Sequence, residues 1–134
     1  MSTVITDNLT GKTSAGDVTI TSEGGSATMQ LQQGVAKAWL NLTGEGTIAI
    51  NDSLNISSAD DNGTGNFDQN YTNNLGNQNY SASGCARDSS SGGFSILRFS
   101  VFNNTTGTRF VTNNSSGSSI DSHLVTDDIH GDLA

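Results

Sequence analysis

The side chains best equipped for chemistry gather in the last 14 positions, where His123 and His130 lie among Asp121, Asp127, Asp128 and Asp132. In the segment DDIHGD, Asp127, Asp128, His130 and Asp132 offer carboxylate oxygens and an imidazole nitrogen to a divalent cation. Copies related by a threefold axis could complete such a site with one ligand each. No spacing here is diagnostic of a metal, so no metal or cofactor is assigned and the ion question stays open for these four residues. A second stretch, SADDNGTGN, invites a calcium reading. With Gly63 as the sixth loop position, Ser58, Asp60 and Asn62 fall first, third and fifth, but Gln69 falls twelfth, where a bidentate carboxylate is required. The stretch reads as a plain turn.

Nucleophilic catalysis has no better footing. Serines are abundant, yet no G-x-S-x-G elbow precedes a helix and neither histidine has a nucleophile marked by sequence. The only glutamates, Glu23 and Glu45, both sit in glycine turns, a poor setting for a two-carboxylate glycosidase pair. The chain is therefore expected not to be an enzyme, and no catalytic residue is assigned. Cys85 is alone, which excludes an internal disulfide and suggests a small buried thiol. A formal charge of −8 with five basic residues argues against nucleic-acid binding. No stretch approaches the roughly 20 apolar residues of a membrane span, so membrane insertion is not expected. The opening MSTVITDNLTGK lacks a basic start followed by an apolar core, which points to synthesis in a cytoplasm without a secretory signal.

The elements that would carry these residues are strands. Asn, Ser, Thr and Gly make up 66 of the 134 residues, the composition of turns and polar strand faces rather than of helices. The clearest pattern is GVAKAWLNLTGEGTIAINDSLNIS, residues 34 to 57, in which Ala36, Ala38, Leu40 and Leu42 share one face and Ile48, Ile50, Leu54 and Ile56 another of single parity. A β-hairpin turning at Thr43 to Gly46 is predicted. Asp52 has the inward parity of the second strand, so a bulge near Asn51 and Asp52 is expected to turn it outward. In FSILRFSVF, Leu97, Phe99 and Val101 form one face and Phe94, Ile96, Arg98 and Phe102 belong to the other. A strand apolar on both faces is either central in two layers or covered by a neighbouring subunit.

The predicted fold is all-β: an antiparallel β-sandwich or jelly-roll-like head over residues 34–134, preceded by a short N-terminal β arm over 1–33 with strands near 4–6, 17–22 and 27–32. The predicted core is Leu40, Leu42, Ile48, Ile50, Leu54, Ile56, Phe67, Leu97, Phe99, Val101 and Phe110. The candidate subunit interface is Trp39, Phe94, Ile96, Arg98 and Phe102. Leu, Ile, Val and Phe number only 28, a thin core for this length, so burial between copies of the chain is expected to supplement it.

The blocks KAWLNLTGEGTIAINDSLNISSADDNGTGNF, the following Asn-Tyr strand and NSSGSSIDSHLVTDDIHGD occur in an order that resembles a family of short bacteriophage virion proteins labelled tail-fibre proteins. The resemblance spans residues 36 to 132. It departs at Asn51, where the family carries a basic residue before the aspartate, at LGNQNY, which lacks the family's proline, and at TDDIHGD, which replaces an apolar approach to the final Gly-Asp. The resemblance implies a non-enzymatic virion component, made in the host cytoplasm and assembled as a homotrimer. A tail fibre or tail knob contacting host-surface glycan or protein is the first reading, and a decoration or cement protein on the capsid is the alternative.

Overall fold

The computed structural model describes residues 3–11, 18–88, 93–101 and 104–134. The chain divides into two compact units, Met1–Val35 and Ala36–Ala134. In the first, β1 (Thr19–Thr21) pairs antiparallel with β2 (Thr28–Gln30), and a single helical turn, α1 (Leu31–Gly34), follows. Both strands are exposed throughout. The strand expected at residues 4 to 6 does not form. One large apolar side chain per strand, Ile20 in β1 and Met29 in β2, is too little to hold more than this, since an isolated hairpin is marginal in water.

The second unit holds β3 (Ala38–Thr43), β4 (Ala49–Leu54), β5 (Ile56–Asp61), β6 (Asn66–Tyr71), β7 (Ser81–Arg87), β8 (Phe94–Val101), β9 (Gly107–Asn113) and β10 (Leu124–His130). They form one antiparallel sheet in the order β4-β3-β10-β7-β8-β9-β6-β5, curled into a nearly closed barrel. Strands β7, β8 and β9 run as a meander and β10 returns beside β7, a Greek key. No helix among the described residues is long and apolar enough to cross a membrane.

Three register shifts help to bend the sheet, because an extra residue on one strand kinks it and strengthens its twist. On β4 the pairing passes from Asn41↔Asp52 to Leu42↔Ile50, leaving Asn51 as the bulged residue. On β5 it skips Ser57, and on β8 it skips Ser100. The two end strands, β4 and β5, are joined by Asn55, whose φ of 59° turns the corner. Its side chain clamps the bend, accepting from the Asn73 N–H at 2.7 Å and donating to the Asn73 carbonyl at 2.9 Å.

Alternation places Ala38, Leu40 and Leu42 of β3, Phe67 and Tyr71 of β6, Phe110 of β9, and Val125 and Ile129 of β10 inside, together with Leu75. Ile48, Ile56, Leu97 and Phe99 pack against them half-buried. Ile50 and Leu54, expected in the core, are exposed by 38% and 46%. Leu54 is a consequence of the bulge that turns Asp52 outward: beyond Asn51 the parity is inverted, so Ser53 lies opposite buried Leu40 and Leu54 opposite Trp39 on the outer face. Of Val101 only the backbone is described. Because Phe99 is half-buried, its truncation to alanine is expected to cost less in a urea melt than the 3–5 kcal/mol typical of a fully enclosed phenylalanine.

Candidate functional site

The pleat of β10 decides what the terminal cluster can do. Asp127 points into the barrel and is buried, whereas Asp128 and His130 lie on the outer face and pair with each other, Nε2 to Oδ2, at 3.0 Å. Asp132 lies beyond the strand, where its carboxylate accepts from Asn77 at 3.2 Å. The four ligand candidates therefore do not converge. Among the described residues no group of three or more His, Cys, Asp or Glu is arranged to hold a metal ion. The calcium reading of residues 58 to 69 fails for the same reason: Ser58 and Asp60 are exposed on β5 while Gln69 is fully enclosed in the barrel.

Ser83, on the neighbouring β7, donates to Asp128 Oδ1 at 2.8 Å. Serine, aspartate and histidine thus meet, but the carboxylate sits between the other two. A hydrolytic triad needs the imidazole against the hydroxyl. His123 Nδ1 meets Glu45 Oε2 at 3.0 Å, a separate surface pair. Cys85 is exposed rather than buried, on the outer face of β7 with Sγ 3.2 Å from the Thr126 hydroxyl. Its strand partner Thr126 shares its face, and the inner positions of β7 are taken by Ala82, Gly84 and Ala86.

The candidate interface residues occupy two places. Phe94 is exposed by 67% and Ile96 by 39% on the outer face of β8, with Arg87 opposite Phe94. Arg98 shares that face, opposite Val111, and its Nε donates to Asn113 Oδ1 at 3.1 Å. Trp39, opposite Leu54 on β3, is separated from β8 by β10 and β7, about 14 Å by three strand spacings. Phe102 lies outside the described residues. The barrel's outer wall therefore carries two apolar areas, one around Phe94 and Ile96 and one around Trp39 and Leu54.

On the outer face of β6 and β9, Arg109 grips Asp68 with two parallel bonds, Nε to Oδ1 at 2.6 Å and Nη2 to Oδ2 at 2.7 Å. The guanidinium holds the Asp68 carboxyl below its usual range, aided by Asn62 and opposed by partial burial. Asp68, Asn70, Asn104, Gly107 and Arg109 line a depression of about 170 Å³. It is a polar recess whose charges are already paired.

The pleat of β6 and β10 carries two polar groups into the interior. Gln69 lies between Phe67 and Tyr71, and Asp127 between Val125 and Ile129, on inward positions. Inside, Gln69 Nε2 donates to Asp127 Oδ2 at 2.7 Å. The Tyr71 and Thr108 hydroxyls lie 2.5 Å apart, with the Tyr80 hydroxyl 3.2 Å from Thr108. Burial raises the Tyr71 phenol well above its ordinary range and pushes the Asp127 carboxyl from 3.8 up to about 7, against the partial relief given by Gln69. Lys37, at the entry to β3, is lowered by burial while the charge of Asp132 pulls it the other way. These groups fasten strands together across the interior. No family model, curated protein or solved structure matches the chain.

Proposed function

We propose that this chain is a non-enzymatic structural protein of a bacteriophage virion, a tail-fibre or tail-knob component in which the unit Met1–Val35 attaches to the particle and the β head faces outward. The observation that carries this reading is the contrast between the two units. The head has its own core, whereas Val4, Ile5, Leu9, Ile20 and Met29 of the first unit are exposed by 84%, 93%, 60%, 41% and 53%. An arm that leaves its apolar side chains in water is suited to burial against a partner. The two apolar areas on the head's outer wall supply surface for copies of the chain, and a closed symmetric homotrimer would cover such surface without leaving it open to uncontrolled association. Loops of the head would then meet host-surface glycan or protein. The non-enzymatic assignment is supported by the order Ser83, Asp128, His130 and by the enclosure of Asp127.

Deleting residues 1–35 is expected to leave a head that unfolds cooperatively and to abolish incorporation into particles. A truncated head that still copurifies with particles would overturn the polarity. Light scattering tests the oligomer, because a stable 13.9 kDa monomer refutes it. A compact head also suits the alternative, a decoration or cement protein on the capsid. Copy number per particle separates them: a count matching the capsid lattice favours the capsid, and a count matching tail symmetry favours the tail.

A further inference from the structure

We propose that Asp127 is carried inside the head as a neutral acid, its proton donated to the Gln69 carboxamide in a cyclic acid–amide pair, so that the head loses stability as the medium turns from acid toward alkaline. Half of the ring is already drawn: Gln69 Nε2 donates to Asp127 Oδ2 at 2.7 Å. The two remaining atoms of the same pair, Gln69 Oε1 and Asp127 Oδ1, are both buried, and neither has a hydrogen-bond partner among the described residues. Each is an acceptor, and two acceptors cannot satisfy one another. A single proton on Asp127 Oδ1 removes both deficits at once, because the acid hydroxyl donates to the amide oxygen while the amide donates back.

The surroundings favour that neutral form. Gln69 is fully buried and Asp127 is 6% exposed, so a carboxylate there would lose its hydration. On its own strand the neighbouring Asp128 adds a like charge, and on β3 the Leu40 backbone N–H is the one further donor that works for the anion. Toward β6 the titratable group is Tyr71, whose phenol is held protonated by burial and engaged with Thr108 of β9, which Tyr80 also approaches. On β7 the position facing Asp127 is Gly84, where a Cβ would come within 3.0 Å of the Asp127 Cβ, so the backbone itself closes that side.

The sign follows from proton binding. The folded acid titrates about 7 and the unfolded one at 3.8, so between these values the folded head holds a proton that the unfolded chain has released. Its stability contribution is complete below about pH 4, declines as pH rises, and levels off above about pH 7. Asp68 acts oppositely and lower down: its depressed carboxyl contributes stability that is lost as pH falls below the ordinary aspartate range.

The test is a set of urea titrations of the full chain from pH 3 to 9, with the unfolding constant of the wild type expected to rise by up to about tenfold for each pH unit between pH 4 and 7. Asp127→Asn retains the ring permanently, its amide donating to Gln69 Oε1 and its oxygen accepting from Gln69 Nε2, and its unfolding constant is expected to stay level across that interval. An Asp127→Asn profile parallel to the wild type would overturn the proposal. Carbon-13 spectra of the wild-type carboxyl carbons keep the question decidable if the variant fails to fold. A carbon of Asp127 that titrates at the ordinary aspartate value refutes the neutral acid, and one that stays protonated to neutral pH supports it.

Discussion

Replacing Phe110 with alanine is expected to cost about 3–5 kcal/mol, the largest loss from any single truncation in the head. Phe110 of β9 lies directly across from Phe67 of β6. Their ring centroids are 5.6 Å apart with the planes at 33°, and neither ring is exposed. Both pack with Leu40, Leu42 and Val125 from the opposite side of the barrel. Truncation therefore removes an aromatic contact and opens a cavity bounded by strands whose ladders prevent collapse. Phe110→Leu, which keeps most of the volume, is expected to cost well under half as much. Urea melts reporting equal losses for the two variants would mean that the site can relax around the missing ring.

Gly65→Ala is the second large effect, expected at roughly 2–5 kcal/mol from left-handed backbone strain combined with overlap. Gly65 has φ of 65°. A Cβ there would lie 2.5 Å from the Thr112 carbonyl oxygen, 2.7 Å from that of Ile120 and 2.9 Å from the Ile120 nitrogen. Those backbone atoms are tied to one another and to Gly65: the Ile120 N–H donates to the Thr112 carbonyl at 3.1 Å, the Thr112 hydroxyl donates to the Ile120 carbonyl at 2.5 Å, and the Thr112 N–H donates to the Gly65 carbonyl at 2.8 Å. Gly63 is the internal control. It too has positive φ, 111°, but nothing lies within 4 Å of its would-be Cβ, so alanine there bears backbone strain alone. Thermal melts should rank Gly65→Ala below Gly63→Ala, and the reverse order would show that overlap is not the deciding cost.

Much of the head was legible because β-structure writes itself in parity. The hairpin of β3 and β4, the bulge beside Asp52 and the inward set Leu97 and Phe99 on β8 all follow from which residues alternate and which would be costly to bury. What escaped was the long-range consequence of each local rule. Inserting Asn51 turns Asp52 outward, but it must also turn Leu54 outward, and counting parity straight through the bulge kept Leu54 in the core. The pairing of β10 with β3 and with β7 joins segments about 85 and about 45 residues apart in sequence, respectively, and nothing local specifies it. The interior pair was hidden by residue type: Gln69 and Asp127 have inward parity, but a polar side chain reads as surface until its partner across the barrel is known. DDIHGD looked like one cluster only because sequence proximity ignores the pleat that sends Asp127 one way and Asp128 and His130 the other. Whether the exposed arm is an attachment device was a matter of composition, and composition does not name the partner.

The ladder between β3 and β10 has a mechanical meaning. The head begins at its Lys37 end, where the Lys37 N–H donates to the Ile129 carbonyl at 2.7 Å, and β3 then runs antiparallel between β10 and β4. A pull exerted between that entry point and the turn after Thr43 runs along the axis of β3. It loads the hydrogen bonds on both sides in shear, all together, instead of opening them in succession from one end. A tether joined at Lys37 would thus draw on the head along its most resistant direction.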